Sequence, residues 1–376
     1  MRLAFIVVLS LATIAIDART RLVRRPAPET VVQYRGDAER SGVYQGSGPR
    51  TFTRTAWQTS IAAASHSAAV YAGGRLYVPI GNGGGLMSLS GTTGAILWTS
   101  ETLGVFSSPA TIAGEVVYVS GENKRTYALS ASTGATLWSF LADDWSVGAP
   151  LVSNGVMYLG TEAGSVYAID VATHAQRWRF STSSPVHATL ALSDGRLVFQ
   201  AIDTIYALDA ATGQELWRKR RDGVWFSVTV SDGIVFSTAS DGGVYALDAR
   251  TGIERWRVVT PDSFWTPAAV FNGVVYATND ARRVVALDAL TGTERWSREV
   301  AEVPTEAILA DAVLYVATGT PQSANQNVDR RVYAFEAATG TELFSATVRG
   351  HAYTAAAAGD GKLFVVTSRN VVYALE

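Results

Sequence analysis

The sequence predicts an all-β fold: an eight-bladed β-propeller of four-stranded antiparallel blades, closed by an N-terminal strand that completes the last blade. An aromatic residue follows a Thr-Gly type of turn at a spacing of 39 to 41 residues, which widens once to 48. A fixed period of this size with short strands is typical of propeller blades. Within each unit, β-branched and aromatic runs alternate with Asp-Gly and Thr-Gly turns, as a β-meander requires.

The two ends of the repeat array predict how the ring closes. The last unit stops at "NVVYALE" (370–376), where the turn and the aromatic strand of the other units are missing. Residues 51–60 carry Trp57 on a strand with no preceding unit, one period before Trp98. We therefore expect residues 51–60 to complete the eighth blade and remove the open sheet edges. Loss of Trp57 is expected to open the whole ring.

Residues 1–18 have the pattern of a signal peptide. One basic residue precedes an apolar run from Leu3 to Ile16, and Ile16-Asp17-Ala18 offers a small-residue cleavage site. The run is shorter than the roughly 20 residues that a membrane-spanning helix needs, so a permanent anchor is the weaker alternative. We expect an exported protein, periplasmic or extracellular, without a membrane span in the mature chain.

Residues 19–50 are expected to form a flexible, extended lead-in rather than a domain, because they are rich in arginine and proline. They contain an Arg35-Gly36-Asp37 triplet, which we interpret as part of this lead-in rather than as an adhesion motif. The propeller itself is predicted to span residues 51–376.

The aromatic residue of each unit is predicted to dock against the neighbouring blade, where a Trp buries on the order of 150 to 250 Å². The Asp and Thr-Gly before it make the turn between the third and fourth strands, and Gly supplies a backbone conformation that is costly for other residues. His174 replaces this Gly once, and Ser90 and Ser130 replace the Asp, which we expect to be tolerated weak points. The docking residues are Trp57, Trp98, Trp138, Trp178, Trp217, Trp256, Trp296 and Phe344.

Composition excludes several functional classes. Hydrophobic residues make up 48% and charged residues 17% of the chain, so it is globular. Lys plus Arg (31) nearly balance Asp plus Glu (33), which argues against nucleic acid as a partner. The chain has no cysteine, which excludes disulfides, thiolate metal sites, cysteine nucleophiles and a lipid-modified cysteine.

The motif Tyr-Ala-Leu-Asp-x-x-Thr-Gly-x-x-x-Trp is intact at 206–217 and at 245–256. It resembles the docking repeat of the pyrroloquinoline-quinone (PQQ) propeller superfamily, and "QYRGDAERSGVY" (33–44) is similar to the segment before the first blade in many PQQ-like proteins. That superfamily includes quinoprotein alcohol dehydrogenases and the non-catalytic BamB-like propeller of outer-membrane β-barrel assembly. The resemblance covers residues 33–376 and is far more specific for fold than for activity.

A quinoprotein dehydrogenase of this kind is expected to have a catalytic Asp, a calcium site of Glu and Asn, and adjacent bonded cysteines. The cysteine pair is impossible here, and no constellation matches the rest, so we predict no catalytic residues and no cofactor. PQQ with calcium, held in the central funnel, is the alternative. No metal site is predicted, because His66, His174, His187 and His351 lie on different units without zinc-site spacing. Asp143 and Asp144 are expected to be solvated rather than an acid-base pair.

Loops between blades and loops between second and third strands fall on one face of a meander, and these loops vary most between units, including 318–331. Variable loops on a rigid scaffold are where binding usually resides. At the channel mouth on this face, the predicted partner-binding residues are His66, Trp145, His187, Trp225, Phe264, Trp265, Glu306, His351 and Tyr353. Basic loop residues expected to orient the partner are Lys124, Arg125, Arg282, Arg283, Arg330 and Arg331. The alternative is that these residues only fill the funnel and solvate the rim.

These observations predict an exported, non-enzymatic propeller scaffold that binds another protein in the cell envelope, with a role in outer-membrane protein assembly implied by the resemblance. One alternative is a PQQ-dependent oxidoreductase that has dispensed with the cysteine pair. Another is a propeller that binds a small ligand or glycan in its aromatic funnel.

Overall fold

The computed structural model describes residues 31–62, 67–81, 85–100, 105–106, 108–187, 189–221, 225–319, 329–352 and 357–376. Within them, the chain forms eight antiparallel sheets of four repeat strands arranged as an eight-bladed propeller, which confirms the predicted fold class. The described part of the chain has no helix of the length and hydrophobicity that crossing a membrane takes. The predicted signal peptide, residues 1–18, lies outside the described residues.

Thirty-four strands make up the described sheets, numbered along the chain. Three precede the first blade: β1 (Val31–Val32), β2 (Val43–Tyr44) and β3 (Thr55–Ser60). Blades 1 and 2 contain β4 (Val70–Ala72), β5 (Arg75–Ile80), β6 (Gly85–Ser90), β7 (Ile96–Thr99), β8 (Thr111–Ala113), β9 (Val116–Ser120), β10 (Arg125–Ser130) and β11 (Thr136–Leu141). Blades 3 and 4 contain β12 (Leu151–Ser153), β13 (Val156–Gly160), β14 (Ser165–Asp170), β15 (Gln176–Ser181), β16 (Ala191–Ser193), β17 (Arg196–Ala201), β18 (Thr204–Asp209) and β19 (Glu215–Arg220).

The remaining blades repeat the same order of strands. Blades 5 and 6 contain β20 (Trp225–Ser231), β21 (Ile234–Ala239), β22 (Gly243–Asp248), β23 (Glu254–Val259), β24 (Ala269–Phe271), β25 (Val274–Thr278), β26 (Arg283–Asp288) and β27 (Glu294–Glu299). Blades 7 and 8 contain β28 (Ile308–Ala310), β29 (Val313–Ala317), β30 (Arg330–Glu336), β31 (Glu342–Val348), β32 (Ala357–Gly359), β33 (Lys362–Thr367) and β34 (Val371–Leu375). The innermost strand, around the channel, is the shortest of its blade in seven blades, whereas in blade 5 the innermost strand β20 has seven residues.

The ring closes as predicted. Strand β3 is the fourth strand of blade 8 and pairs antiparallel with β34, with Trp57 opposite Ala374 and Ser60 opposite Val371. The amide of Thr53 donates to the carbonyl of Glu376 at 2.8 Å, which extends the contact to the last residue. The N-terminal strand therefore joins the two ends of the repeat array within one sheet.

The docking tryptophans share one hydrogen bond. The indole of Trp57 donates to the carbonyl of Gly91 in the next blade at 3.0 Å. The Gly of the following turn, Gly94, has φ +73°, and a Cβ there would lie 2.4 Å from the Trp57 ring. The repeat thus needs glycine at this turn for two reasons, the backbone conformation and the space that the ring takes. The same bond joins Trp98 to Ala131, Trp178 to Ala210, Trp217 to Ala249, Trp256 to Ala289 and Trp296 to Ala337 at 2.9 to 3.0 Å.

Two units depart from this arrangement. His174, which replaces the turn Gly, has φ +62° and stacks on Trp138 with ring centroids 4.4 Å apart and planes 24° from parallel. Phe344, which replaces Trp, stacks on Phe52 at 6.1 Å. Each substitution therefore gains an aromatic contact where the standard packing or hydrogen bond is lost.

The propeller has two different faces. The loop face carries the connections between blades and the turns between second and third strands. The turn face carries the turns between first and second strands and between third and fourth strands. Because each innermost strand follows a connection between blades, it runs from the loop face to the turn face.

Candidate binding face and the filled channel

The central channel contains the chain's own residues 31–44, where the sequence predicted a flexible lead-in. Strand β1 pairs antiparallel with β8 of blade 2, and β2 pairs parallel with β28 of blade 7. Between these two strands, backbone carbonyls of the segment accept hydrogen bonds from amides in the inner strands of four successive blades, 4 to 7, at 2.7 to 2.9 Å. The pairs are the amide of Leu192 with the carbonyl of Ala38, Val230 with Glu39, Val270 with Ser41, and Leu309 with Gly42. Residues 31–44 therefore satisfy backbone groups that would otherwise face an open channel.

The segment enters and leaves by the turn face. Strand β1 is antiparallel to β8, so it runs from the turn face inward, and β2 is parallel to β28, so it runs back outward. The amide of Gly361, in a turn between first and second strands, donates to the carbonyl of Ser47 at 2.9 Å. The lead-in is therefore a loop inserted from the turn face, and the mouth of the channel on the loop face is not crossed by either of its arms.

A buried ion pair holds this loop in place. Arg35 is fully buried, and its guanidinium lies 3.3 Å from the carboxylate of Glu306, which is 5% exposed. The hydroxyl of Tyr34 donates to the same carboxylate at 2.6 Å. Burial and the nearby Glu306 hold the pKa of Tyr34 well above its usual value, so the hydroxyl keeps its proton. Glu306 therefore receives one charged and one neutral donor inside the channel.

A second buried arginine ties the loop to other blades. Arg40 is fully buried and donates to the carbonyls of Leu190 at 2.9 Å, Tyr34 at 2.7 Å and Ala149 at 3.3 Å. Burial lowers the pKa of Arg40 to about 10, so it remains charged at neutral pH. Its donors fix carbonyls just before the inner strands of blades 3 and 4.

Gly36 explains why the lead-in has glycine in the Arg35-Gly36-Asp37 triplet. Gly36 has φ +92°, and a Cβ there would lie 1.8 Å from the carbonyl oxygen of Val43, so the two arms of the loop could not approach as they do. Asp37 accepts a hydrogen bond from the amide of Ser41 at 3.0 Å. The triplet thus builds the channel loop, with its Arg buried.

Tyr34, Arg35 and Arg40 were not predicted as structural anchors, although the sequence carries a signal for them. Two positions before the inner strands of blades 1, 2, 3, 4 and 6 stand small residues: Ala68, Pro109, Ala149, Thr189 and Pro267. Blade 7 has Glu306 at this position. A lone acid in a ring of small residues indicates a specific partner, and the lead-in supplies it.

Three of the predicted partner-binding residues are buried. Glu306 faces the lead-in, Phe264 is 1% exposed in the core between blades 5 and 6, and His351 is 0% exposed. His351 packs against Gly319, at the start of the loop between the second and third strands of blade 7. A Cβ added to Gly319 would lie 2.4 Å from the Cβ of His351. These three side chains therefore do not form part of an exposed face, which corrects that expectation for them.

Other predicted residues do lie at the surface of the loop face. Trp265 is 56% exposed, and its indole donates to Asp280 at 3.3 Å. The ring of His187 is exposed and lies 2.7 Å from the carboxylate of Glu162. Trp145 is half-buried, and its carbonyl accepts the amide of Glu162 at 3.0 Å. Trp225 lies in β20. His66 and Tyr353 lie outside the described residues, as does most of the 318–331 loop.

The predicted basic residues mostly have partners within the rim. Lys124 pairs with Asp144 at 3.0 Å, and Arg282 pairs with Glu299 at 2.7 Å. Exposed pairs of this kind contribute little to stability, about 0 to 1 kcal/mol. The others are Arg125, which donates to Ser139 at 2.9 Å, Arg283, which donates to Ser297 at 2.5 Å, Arg330, which pairs with Glu302, and Arg331, which is exposed. Lys124, Arg282, Arg283 and Arg330 thus each pair with an acidic side chain, which reduces the positive charge that they offer a partner.

Asp143 and Asp144 belong to hydrogen-bond networks of the same rim. Asp143 is held by Ser165 at 2.6 Å, Thr161 at 2.9 Å and Arg179 at 2.6 Å. Burial opposes ionisation of Asp143, but these donors outweigh it and hold its pKa below the usual value. Among the residues that the structure describes, no group of three or more acidic or histidine side chains is arranged to hold a metal ion.

The chain matches the protein family described as outer membrane protein assembly factor BamB, over residues 52–173, 122–223, 162–309, 263–327 and 304–376. These overlapping matches run from β3 to the last strand. The chain belongs to this family of PQQ-like propellers. No curated protein matches the chain.

Solved structures with the same architecture include both members of the family and enzymes. BamB from Moraxella catarrhalis is 18% identical, with a TM-score of 0.68 over 86% of this chain and 97% of that one. The quinohemoprotein alcohol dehydrogenase from Comamonas testosteroni is 15% identical, with a TM-score of 0.75 over 92% of this chain and 80% of that one. The computationally designed Ika8 protein is 16% identical, with a TM-score of 0.75 over 88% and 99%. At these identities the likeness concerns the fold alone.

The dehydrogenases that share the fold raise the question of a quinone in the funnel. In this chain, Tyr34, Arg35 and Arg40 occupy the channel and make their hydrogen bonds to its walls. The channel is lined by the chain's own backbone from blade 2 to blade 7. The residues at this place do not fit a chamber for PQQ and calcium, because the lead-in fills the space and its polar groups are bonded to the channel walls.

Proposed function

We propose that this chain is a non-enzymatic propeller scaffold of the cell envelope, exported from the cytoplasm, that binds another protein through its loop face and serves outer-membrane protein assembly. The observation that carries the proposal is the filled channel. Where a propeller enzyme needs an accessible chamber, this chain places its own residues 31–44 and satisfies the inner strands with them. The family membership supports the assembly role.

The loop face supplies what a protein partner needs. Trp265 and Trp145 offer large apolar contact area with a polar tip, a type of residue that dominates binding energy at protein interfaces. His187 lies on the same face with its ring exposed. Because both arms of the channel loop reach the channel from the turn face, a partner on the loop face does not compete with the lead-in.

Photo-crosslinking in cells tests this proposal. A photoreactive phenylalanine analogue would replace Trp265, on the loop face, and in a matched variant Leu290, on the turn face of the same blade. Leu290 is 71% exposed, so both probes are accessible. The proposal predicts a discrete protein adduct from position 265 and none from position 290. Adducts from 290 alone, or from neither position, would contradict it.

A further inference from the structure

A cavity lies between blades 1 and 2 on the turn face, away from the loop face. Its volume is about 450 Å³, within the range of about 300 to 1,000 Å³ that small-molecule sites have. Val32 of the lead-in, Ala72 and Ile112 give it an apolar floor, and Arg75 and Glu115 stand at its sides. The cavity therefore combines apolar walls with one cation and one anion.

Both charged residues depart from the repeat. Glu115 stands at the turn position that is glycine in most other blades, such as Gly155 and Gly273. Arg75 stands at the first position of the second strand, which is apolar in five of the other blades, such as Val156. The repeat fold requires neither charge, and the two departures occur in adjacent blades on either side of one cavity.

Tyr77, a third polar residue, lines the same cavity. Tyr158 and Tyr276, at the position equivalent to Tyr77, donate to the carbonyls of Ala210 and Ala337 at 3.2 and 3.0 Å. Each of these carbonyls also accepts from a docking Trp, as that of Ala131 does from Trp98 at 3.0 Å, but the second donor to Ala131 is Arg75 at 3.4 Å in place of the Tyr hydroxyl. Tyr77 is 2% exposed and lines the cavity, and within the described ranges its hydroxyl has no hydrogen-bond partner. The hydroxyl is therefore available to a hydrogen-bond partner that enters the cavity.

The charges at the cavity are also available. In the part of the chain that the structure describes, neither Arg75 nor Glu115 forms an ion pair, whereas other arginines of the turn face do, such as Arg177 with Asp170 and Arg295 with Asp288. Arg75 and Glu115 do not pair with each other although they line one cavity. Burial raises the pKa of Tyr77, Arg75 lowers it and Glu115 raises it, so both charges act on this hydroxyl. Three polar groups thus converge on one space.

We propose that this cavity binds a small zwitterion, an α-amino acid with an apolar side chain. The guanidinium of Arg75 matches a carboxylate, which it can bind in a bidentate manner. The carboxylate of Glu115 accepts hydrogen bonds from an ammonium group, and the Tyr77 hydroxyl bonds the ligand carboxylate. The floor of Val32, Ala72 and Ile112 receives the apolar side chain. A ligand at this place contacts two blades and the lead-in together, which stabilises the folded ring.

The test uses the full mature chain with L-leucine as the probe, by isothermal titration calorimetry and thermal unfolding. N-acetyl-leucine lacks the cation and leucinamide lacks the carboxylate, so each removes one half of the match. We expect saturable binding and a raised unfolding temperature with leucine, and neither effect with the two analogues. No binding of leucine at millimolar concentration, or equal binding of N-acetyl-leucine, would overturn the proposal, the latter by indicating a simple anion site.

Substitutions locate the site. Arg75→Gln and Glu115→Gln are each expected to weaken leucine binding by about tenfold or more, since each removes a charge-assisted hydrogen bond. Arg196→Gln is the matched control, because Arg196 has the same strand position in blade 4, and it should bind leucine as the unchanged chain does. Tyr77→Phe removes a hydroxyl that has no internal bond, so the protein should stay folded and bind leucine several-fold more weakly. Unchanged binding in all three cavity variants would overturn the assignment.

Discussion

Replacing Arg35 by Met tests directly whether the lead-in is anchored in the channel. The substitution keeps an apolar stem and removes the guanidinium that lies 3.3 Å from Glu306. The carbonyls of Ala268 and Arg40, which also accept from Arg35, both lie within reach of the Thr229 hydroxyl, at 2.7 and 3.1 Å, whose single hydrogen serves one of them at a time. The largest loss falls on Glu306, whose carboxylate stays buried while the guanidinium charge beside it is removed.

Breaking a buried pair by removing one partner costs about 3 to 5 kcal/mol, because the remaining charge is uncompensated. We expect Arg35→Met to lower the free energy of unfolding by that amount. The double variant Arg35→Met with Glu306→Gln removes the stranded charge and keeps an acceptor for Tyr34, so it should recover a large part of the loss. Urea-induced unfolding, followed by tryptophan fluorescence, measures both.

Arg282→Met is the control, because its pair with Glu299 is exposed at both ends and contributes less than about 1 kcal/mol. The reasoning fails if Arg35→Met is as mild as this control, since the guanidinium would then be solvated rather than buried. It also fails if the double variant is no more stable than Arg35→Met alone.

Three further predictions concern the ring. Trp57→Ala should lower the free energy of unfolding by about 3 kcal/mol and make the whole chain sensitive to limited proteolysis, because Trp57 joins the closing strand to blade 1. Cleavage confined to the termini would contradict this prediction. His174→Gly should change stability little, since glycine relieves the strain of the left-handed backbone and this offsets the lost stacking on Trp138. His174→Ala keeps the backbone strain and loses the stacking, so it should lower the free energy of unfolding in urea by about 1 to 2 kcal/mol. Equal effects of the two would refute this balance. Hydrogen bonds, first from Arg255, lower the pKa of Asp248 from 3.8 to about 2. The contribution of the Asp248 carboxylate to folding stability is therefore present above pH 3.8 and is lost as the pH falls towards 2. Over that window, the urea midpoint of Asp248→Asn should fall less than that of the unchanged chain.

The repeat pattern was sufficient to predict the blades and their closure. The same turn residues recur from unit to unit, so the spacing of the docking aromatics counts the blades. The last unit ends at 370–376 without its turn and fourth strand, which identifies the strand with Trp57 as the missing one. These features depend on neighbouring residues and on a constant period, which are visible in one sequence.

The channel loop could not be predicted by the same means. "YRGDAER" (34–40) has the composition of a solvated segment, because charged residues are almost never fully buried unless they are paired. Its pairing with Glu306 joins residues that are 271 apart in the chain, and no local pattern encodes such a contact. The burial of Glu306 and His351 could not be predicted for a related reason. Whether a side chain near the channel mouth is buried depends on which other segments cover it, rather than on its position in the repeat.

The central claim, a scaffold whose channel is filled by its own chain, is tested most directly by adding PQQ and Ca²⁺ to the purified mature protein. Thermal unfolding with and without the additives is followed by dye-linked alcohol oxidation on the same sample. A ligand that binds the folded state at a hundredfold excess over its dissociation constant stabilises it by about 2.7 kcal/mol. The account predicts no shift in the unfolding temperature and no turnover. A clear upward shift accompanied by alcohol oxidation would contradict it.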